Sequence, residues 1–149
     1  MTQITPEVAE LEKNKEVISG LESIAFEAIE KYLVEPETAW QPSDFLPDMS
    51  HPDALNEVKE LQQRAAGLPD GVITSLVGNM ITEEALPTYT TYFNLIEGVN
   101  EEGNYASDRG WVKWSRKWTA EENRHGDLLN KYLYLTGRGD MRQVEVTIH

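Results

Sequence analysis

An all-α helix bundle is the fold class this sequence predicts. Apolar residues recur at steps of three and four in each of its long segments, a spacing that lines one face of a helix. Proline- and glycine-rich stretches separate those segments. No stretch alternates apolar and polar residues for the length of a strand. With 149 residues, 40% of them apolar, the chain is expected to form a single domain over 1–149 with a real core.

The first predicted helix runs from about Pro6 to Leu33, with Leu11, Ile18, Leu21, Ala25, Ala28 and Tyr32 on one face. Pro36 stops it. The next stretch, "EPETAWQPSDFLPDMSHPDA", has four prolines and no period. Trp40, Phe45 and Leu46 are large apolar anchors within it, so an ordered loop is expected. A second helix is expected from about Pro52 to Ala66, with Leu55, Val58, Leu61 and Ala65 inward, and "GLPDG" is a turn. A third runs from about Gly71 to Gly98 with Ile73, Leu76, Met80, Glu83 and Pro87 in its stripe. Pro87 kinks it or leaves a carbonyl free. After the polar connection "EGVNEEGNYASDRG", Ser107 or Asp108 caps a fourth helix that ends near Thr136, before Gly137 and Gly139. "DMRQVEVTIH" begins one more helical pattern.

The net charge of −13 argues against nucleic acid as a general partner. Its distribution is uneven. Through residue 108 there are 5 Lys/Arg against 21 Asp/Glu, whereas residues 109–142 hold 8 against 4. The plain reading of that basic stretch is the solvated face of a helix. The absence of cysteine excludes disulfides, thiolate zinc sites and cysteine nucleophiles. No apolar run reaches the length of a membrane span, and "MTQITPEVAELEKNKEV" has neither a signal core nor transit character. A soluble cytoplasmic setting is therefore expected. No nucleophile elbow and no glycine-rich phosphate loop occur.

The fourth helix carries the chemistry. Trp111, Trp114, Trp118, Glu122, His125, Leu129 and Tyr132 follow one another at steps of three or four, so a carboxylate and an imidazole lie in an otherwise apolar stripe. Glu122 and His125 form Glu-x-x-His, whose side chains share a helix face and can bind one metal ion. In a bundle, such a pair plus a Glu from a neighbouring helix is half of a di-iron carboxylate site. Glu83 supplies that third candidate, with Glu84 beside it. Gly126 removes a side chain next to the histidine and eases the approach of a neighbouring helix. The competing reading is an ordinary buried Glu–His pair. Burying three ionisable groups is costly without a partner, and a metal ion is an economical one.

"LVGNMITEEALPTY", "KWTAEENRHGDLLNKYLYLTGRGDMRQVE" and "WQPSDFLPD" closely resemble the plant-type soluble acyl-[acyl carrier protein] desaturases, the stearoyl desaturase family. The resemblance covers nearly the whole chain. It implies a ferritin-like di-iron helix bundle, of which this chain is the N-terminal half. It implies an enzyme that uses dioxygen and two electrons, usually from ferredoxin, to insert a cis double bond into an acyl chain on acyl carrier protein. Matched motif by motif, it makes Glu83, Glu122 and His125 iron ligands, with two Fe(2+) per complete site. Trp40 matches the loop tryptophan near the ligand network, although an apolar plug explains it equally well. Acyl carrier protein is acidic, so Lys113, Arg116 and Lys117 are docking candidates. A plastid location follows if the source is a plant.

Two departures stand out. Plant enzymes read roughly "TYQTMLNTLDG" where this chain has "TYTTYFNLIEG". Tyr92, Phe93, Leu95 and Ile96 are the candidate pocket residues there, so chain length and bond position cannot be copied across. The second departure is the ligand count. The family site takes four Glu and two His, and this sequence holds one Glu-x-x-His; His51 and His149 form no second one. A fragment, a half paired with another polypeptide, and a homodimer with a complete site all satisfy that count. A non-catalytic half bundle that binds acyl carrier protein is the alternative from another class.

Overall fold

The computed structural model describes residues 6–148, and His149 lies outside them. These residues form α1 (Pro6–Gly20), α2 (Glu22–Tyr32), a 3-10 turn (Pro42–Asp44), α3 (Ala54–Ala66), α4 (Asp70–Glu84), α5 (Leu86–Asn94), α6 (Gly110–Thr136) and α7 (Met141–Ile148). No strand occurs among the described residues. The fold is all-α, as the periodicity predicts.

Two expected helices are each broken in two. After Gly20, a residue that weakens helix interiors, Leu21 turns to φ −94° and ψ 7° with its N–H shared between the Val17 and Ile18 carbonyls, and α2 starts afresh at Glu22. The break resets the phase of the stripe. Ala25 and Ile29 are buried, while Leu11, Leu21 and Tyr32, expected inside, are exposed. The second break falls at Ala85. Pro87 has no N–H for the Glu83 carbonyl, and it settles in the first turn of α5, where none is needed. The expected kink is thus a full stop, and α5 ends at Asn94 rather than Gly98. In α3, Leu61 and Ala65 are buried as expected, but Leu55 is exposed.

The chain divides into two units. One comprises the residues through Glu35 with Pro87–Glu121; the other comprises Pro36–Leu86 with the chain from Glu122 onward. The division falls inside α6, whose first part belongs to one unit and whose second part belongs to the other.

In the first unit, Ala25, Ile29, Val99 and Val112 are buried. Phe93 packs against Trp111 and Trp114, and Trp114 stacks on Trp118 at 5.4 Å. A polar seam fixes the register of α5 on α6. Asn94 Nδ2 donates to Ser115 Oγ at 3.2 Å, and the hydroxyls of Thr90 and Thr119 bond to each other. The start of α6 departs from expectation. Ser107 Oγ accepts the Arg109 N–H, but the Gly110 N–H is capped by the Glu22 carboxylate, remote in sequence.

In the second unit, Ile73, Met80, Leu133 and Met141 form the core, with Leu68, Leu76, Val77 and Leu129 packed against it. Gly137 ends α6 with a φ of +63°, a left-handed conformation that glycine adopts without strain. Arg138 then reaches back across the α3–α4 turn. Its guanidinium donates to the Ala65 and Leu68 carbonyls and to Asp70. The proline-rich loop is ordered by its own polar groups. Gln41 N donates to Asp44 Oδ2 at 2.8 Å, and Ser50 donates to Asp48 through both its hydroxyl and its N–H. Its Phe45, expected as an anchor, is 62% exposed.

Candidate metal centre

The second unit brings three chemistry-bearing residues together. Glu83 lies in the last turn of α4, and Glu122 and His125 lie one turn apart on α6. One donor atom from each falls within 4.8 Å of the others. An ion held at about 2.1 Å from carboxylate oxygen and imidazole nitrogen tolerates donors up to about 4.2 Å apart. Small rotations of the long Glu side chains close that difference, so the three residues fit a metal ion. The carbonyl end of α4 adds partial negative charge beside Glu83, which also favours a cation. His125 Nδ1 lies 2.8 Å from Glu122 Oε2.

Gly126 explains how α4 comes so close. A Cβ at Gly126 would lie 3.1 Å from Glu83 Cβ and 3.5 Å from the Glu83 carbonyl carbon. The first of these is tighter than ordinary packing, and the second is at van der Waals contact. The two acids of "ITEEALP" also separate in role. Asn130 Nδ2 donates to Glu84 Oε1 at 2.6 Å, while Glu83 joins the donor cluster. The seam opens as a polar cleft of about 340 Å³ lined by Glu83, Glu84, Asn123, Gly126, Asp127 and Asn130.

Burial differs from the sequence expectation. The His125 and Glu122 side chains are 40% and 26% exposed. Desolvation therefore weighs on half-buried groups only, and the convergence of the three donors favours a metal more than burial does. The stripe from Trp111 to Tyr132 is likewise half-buried along its length.

Trp40 lies flat on the His125 ring, with centroids 5.6 Å apart and planes 5° from parallel. Phe45 meets its edge at 5.5 Å. Arg124, 8% exposed, sets its guanidinium 5.6 Å from the Trp40 ring centroid. The sequence reading missed Arg124, because one more cation in a basic stretch looks like solvated surface. It also missed an apolar groove of about 450 Å³ formed by Leu46, Pro47 and Met49 of the loop with Tyr134 and Leu135 of α6. No period marks a groove wall that a loop supplies.

The remaining candidates lie in the first unit. Phe93 is packed among tryptophans, whereas Tyr92, Leu95 and Ile96 are exposed. Leu95 and Ile96 line a surface cleft of about 370 Å³ with Leu11 and Asn94. Arg116 donates to the carbonyls of Tyr105 and Ser107 at 2.7 and 2.8 Å, which uses its N–H groups but not its charge. Lys117 is ion-paired with Glu35. Lys113 is half-buried and forms no salt bridge among the described residues. No described helix is long and apolar enough to cross a membrane.

Known proteins share much of this sequence. Acyl-[acyl-carrier-protein] desaturase 3, chloroplastic, of Oryza sativa subsp. indica is 54% identical over 136 residues, covering 91% of this chain and 34% of the relative. Stearoyl-[acyl-carrier-protein] 9-desaturase 2, chloroplastic, of Oryza sativa subsp. japonica is 56% identical over 133 residues, 89% of this chain and 33% of the relative. Palmitoyl-[acyl-carrier-protein] 4-desaturase 3, chloroplastic, of Ophrys sphegodes is 56% identical over 133 residues, with the same shares. The chain thus spans about a third of the length of these relatives. Residues 13–149 match the family model described as fatty acid desaturase, and the chain belongs to that family.

Proposed function

We propose that this chain contributes one half of a dinuclear iron centre to an acyl-[acyl carrier protein] desaturase. The observation that carries the reading is the meeting of Glu83 from α4 with Glu122 and His125 from α6. Two carboxylates and one imidazole suit ferrous ion. Bound iron supplies dioxygen activation with two electrons, here assigned to a ferredoxin-type donor. The protein's own residues do the rest. Glu83 and Glu122 offset the charge of the ion, His125 adds a neutral nitrogen, and Gly126 lets the two helices close on the site.

The substrate assigned is an acyl chain on acyl carrier protein, which the names of the relatives support. Among the pocket candidates, Tyr92, Leu95 and Ile96 remain free to meet an acyl chain, and Phe93 serves the core. Among the docking candidates, Lys113 and Arg116 keep net positive charge toward an acidic partner, while Glu35 neutralises Lys117. A soluble plastid setting accords with the chloroplastic relatives.

A carboxylate-bridged site in a ferritin-like bundle takes four Glu and two His. One copy of this chain offers two Glu and one His, and a two-fold homodimer of the 149-residue chain restores the count. Native mass spectrometry after anaerobic ferrous reconstitution tests this reading. A dimer carrying two irons, lost in His125→Ala, is the expected result. An iron-free monomer that still binds acyl carrier protein refutes the metal reading and favours a non-catalytic binding module.

A further inference from the structure

Arg124 is the one buried charged side chain among the described residues. A guanidinium is costly to bury, and a site that keeps one uses its charge or its planar shape. Here its neighbour on α6 is His125, and both side chains address the same indole. The Arg124 guanidinium lies 5.6 Å from the Trp40 centroid, a cation–π distance, and Trp40 in turn lies parallel to the His125 imidazole. Trp40 sits on a loop that Gln41 ties down through its bonds to Asp44, Pro36 and Ala39. The loop that carries the indole is thus held by hydrogen bonds of its own, and the indole meets a buried cation from the helix side.

We propose that Arg124 is a positioning residue of the metal centre, acting through Trp40. The guanidinium fixes the plane of the indole, and the indole restricts the His125 ring to the rotamer that faces Glu122 and Glu83. The inference rests on the metal reading of those three residues. A ligand held in one rotamer loses less freedom when the ion arrives, and outer partners of metal ligands commonly matter 10- to 100-fold in affinity.

The test is a double-mutant cycle with Arg124→Leu, Trp40→Leu and the double variant, read in two ways. In the metal-free protein, NMR reports the His125 ring protons, which a stacked indole shields. Cobalt(II) titration, followed by visible absorption, reports metal affinity. Arg124→Leu is expected to move the His125 signals toward their Trp40→Leu positions and to weaken cobalt(II) binding about 10-fold. In the Trp40→Leu background it is expected to add nothing. Arg124→Lys, which keeps the charge, is expected to hold the shielding, and Arg124→Gln to lose it. These milder variants decide the question if Arg124→Leu does not fold. The proposal is overturned if Arg124→Leu leaves both readouts at wild type, if it costs the same factor with and without Trp40, or if Lys and Gln behave alike. Failure of the wild type to bind cobalt(II) sinks the metal reading instead, and the ring shifts still decide whether Arg124 orders His125.

Discussion

Replacing Gly126 with alanine sets two opposing effects against each other at the seam between α4 and α6. Removing glycine from a helix interior favours folding by about 1 kcal/mol. The new methyl, however, would stand 3.1 Å from Glu83 Cβ and 3.5 Å from the Glu84 nitrogen. Carbon pairs rest at roughly 3.5–4.0 Å, so α4 must retreat by about half an ångström. Overpacking of this kind costs about 1–3 kcal/mol. The metal-free variant is therefore expected to lose about 1 kcal/mol. The atom that retreats belongs to a proposed ligand, and such sites tolerate displacements of only about 0.5 Å. Metal affinity is expected to fall about 10-fold, equivalent to about 1.4 kcal/mol. Gly78 in α4 provides the control, since a Cβ there meets nothing within 4 Å and alanine is expected to stabilise by about 1 kcal/mol. Urea unfolding of the metal-free proteins and cobalt(II) titration give both numbers. If Gly126→Ala gains stability as Gly78→Ala does, and binds metal unchanged, the close approach of α4 to α6 is wrong.

Two further expectations concern the frame around the site. Arg138→Met removes the guanidinium bonds to Ala65, Leu68 and Asp70, and a loss of about 2 kcal/mol is expected in urea unfolding with an unchanged slope. The Ser50 hydroxyl and N–H hold the Asp48 carboxyl below its ordinary value of 3.8. A depressed carboxyl steadies the folded loop above that value, and the contribution fades as pH falls through the lowered one. Ser50→Ala is expected to raise the Asp48 midpoint, read from its carboxyl carbon by NMR titration.

The site was more legible in the sequence than the packing around it. Glu83, Glu122 and His125 could be found because helical spacing converts directly into a shared face, and Gly126 because a missing side chain beside a ligand has few other uses. Spacing is silent on which side of a break the phase restarts. Gly20 and Pro87 each end a helix that the stripes run through; Leu21 and Tyr32, inward by a stripe continued past Gly20, are exposed, and Leu11 ahead of that break is exposed as well. Contacts made by loops leave no period either. The Trp40–Arg124 pair and the groove at Leu46 and Tyr134 join residues about 85 positions apart, and composition alone reads Arg124 as surface charge. The capping of α6 by Glu22 is of the same kind, since a local rule nominates Ser107 or Asp108 and a distant carboxylate takes the position.

Glu83, Glu122 and His125 are proposed to hold one metal ion together. Anaerobic cobalt(II) titration of the wild type beside Glu83→Ala, Glu122→Ala and His125→Ala tests this most directly. The expected result is saturation at one ion per chain in the wild type, with binding at least about 10-fold weaker in each variant. Equal binding by all four proteins would rule out a metal site here and leave the three residues an ordinary half-buried polar cluster.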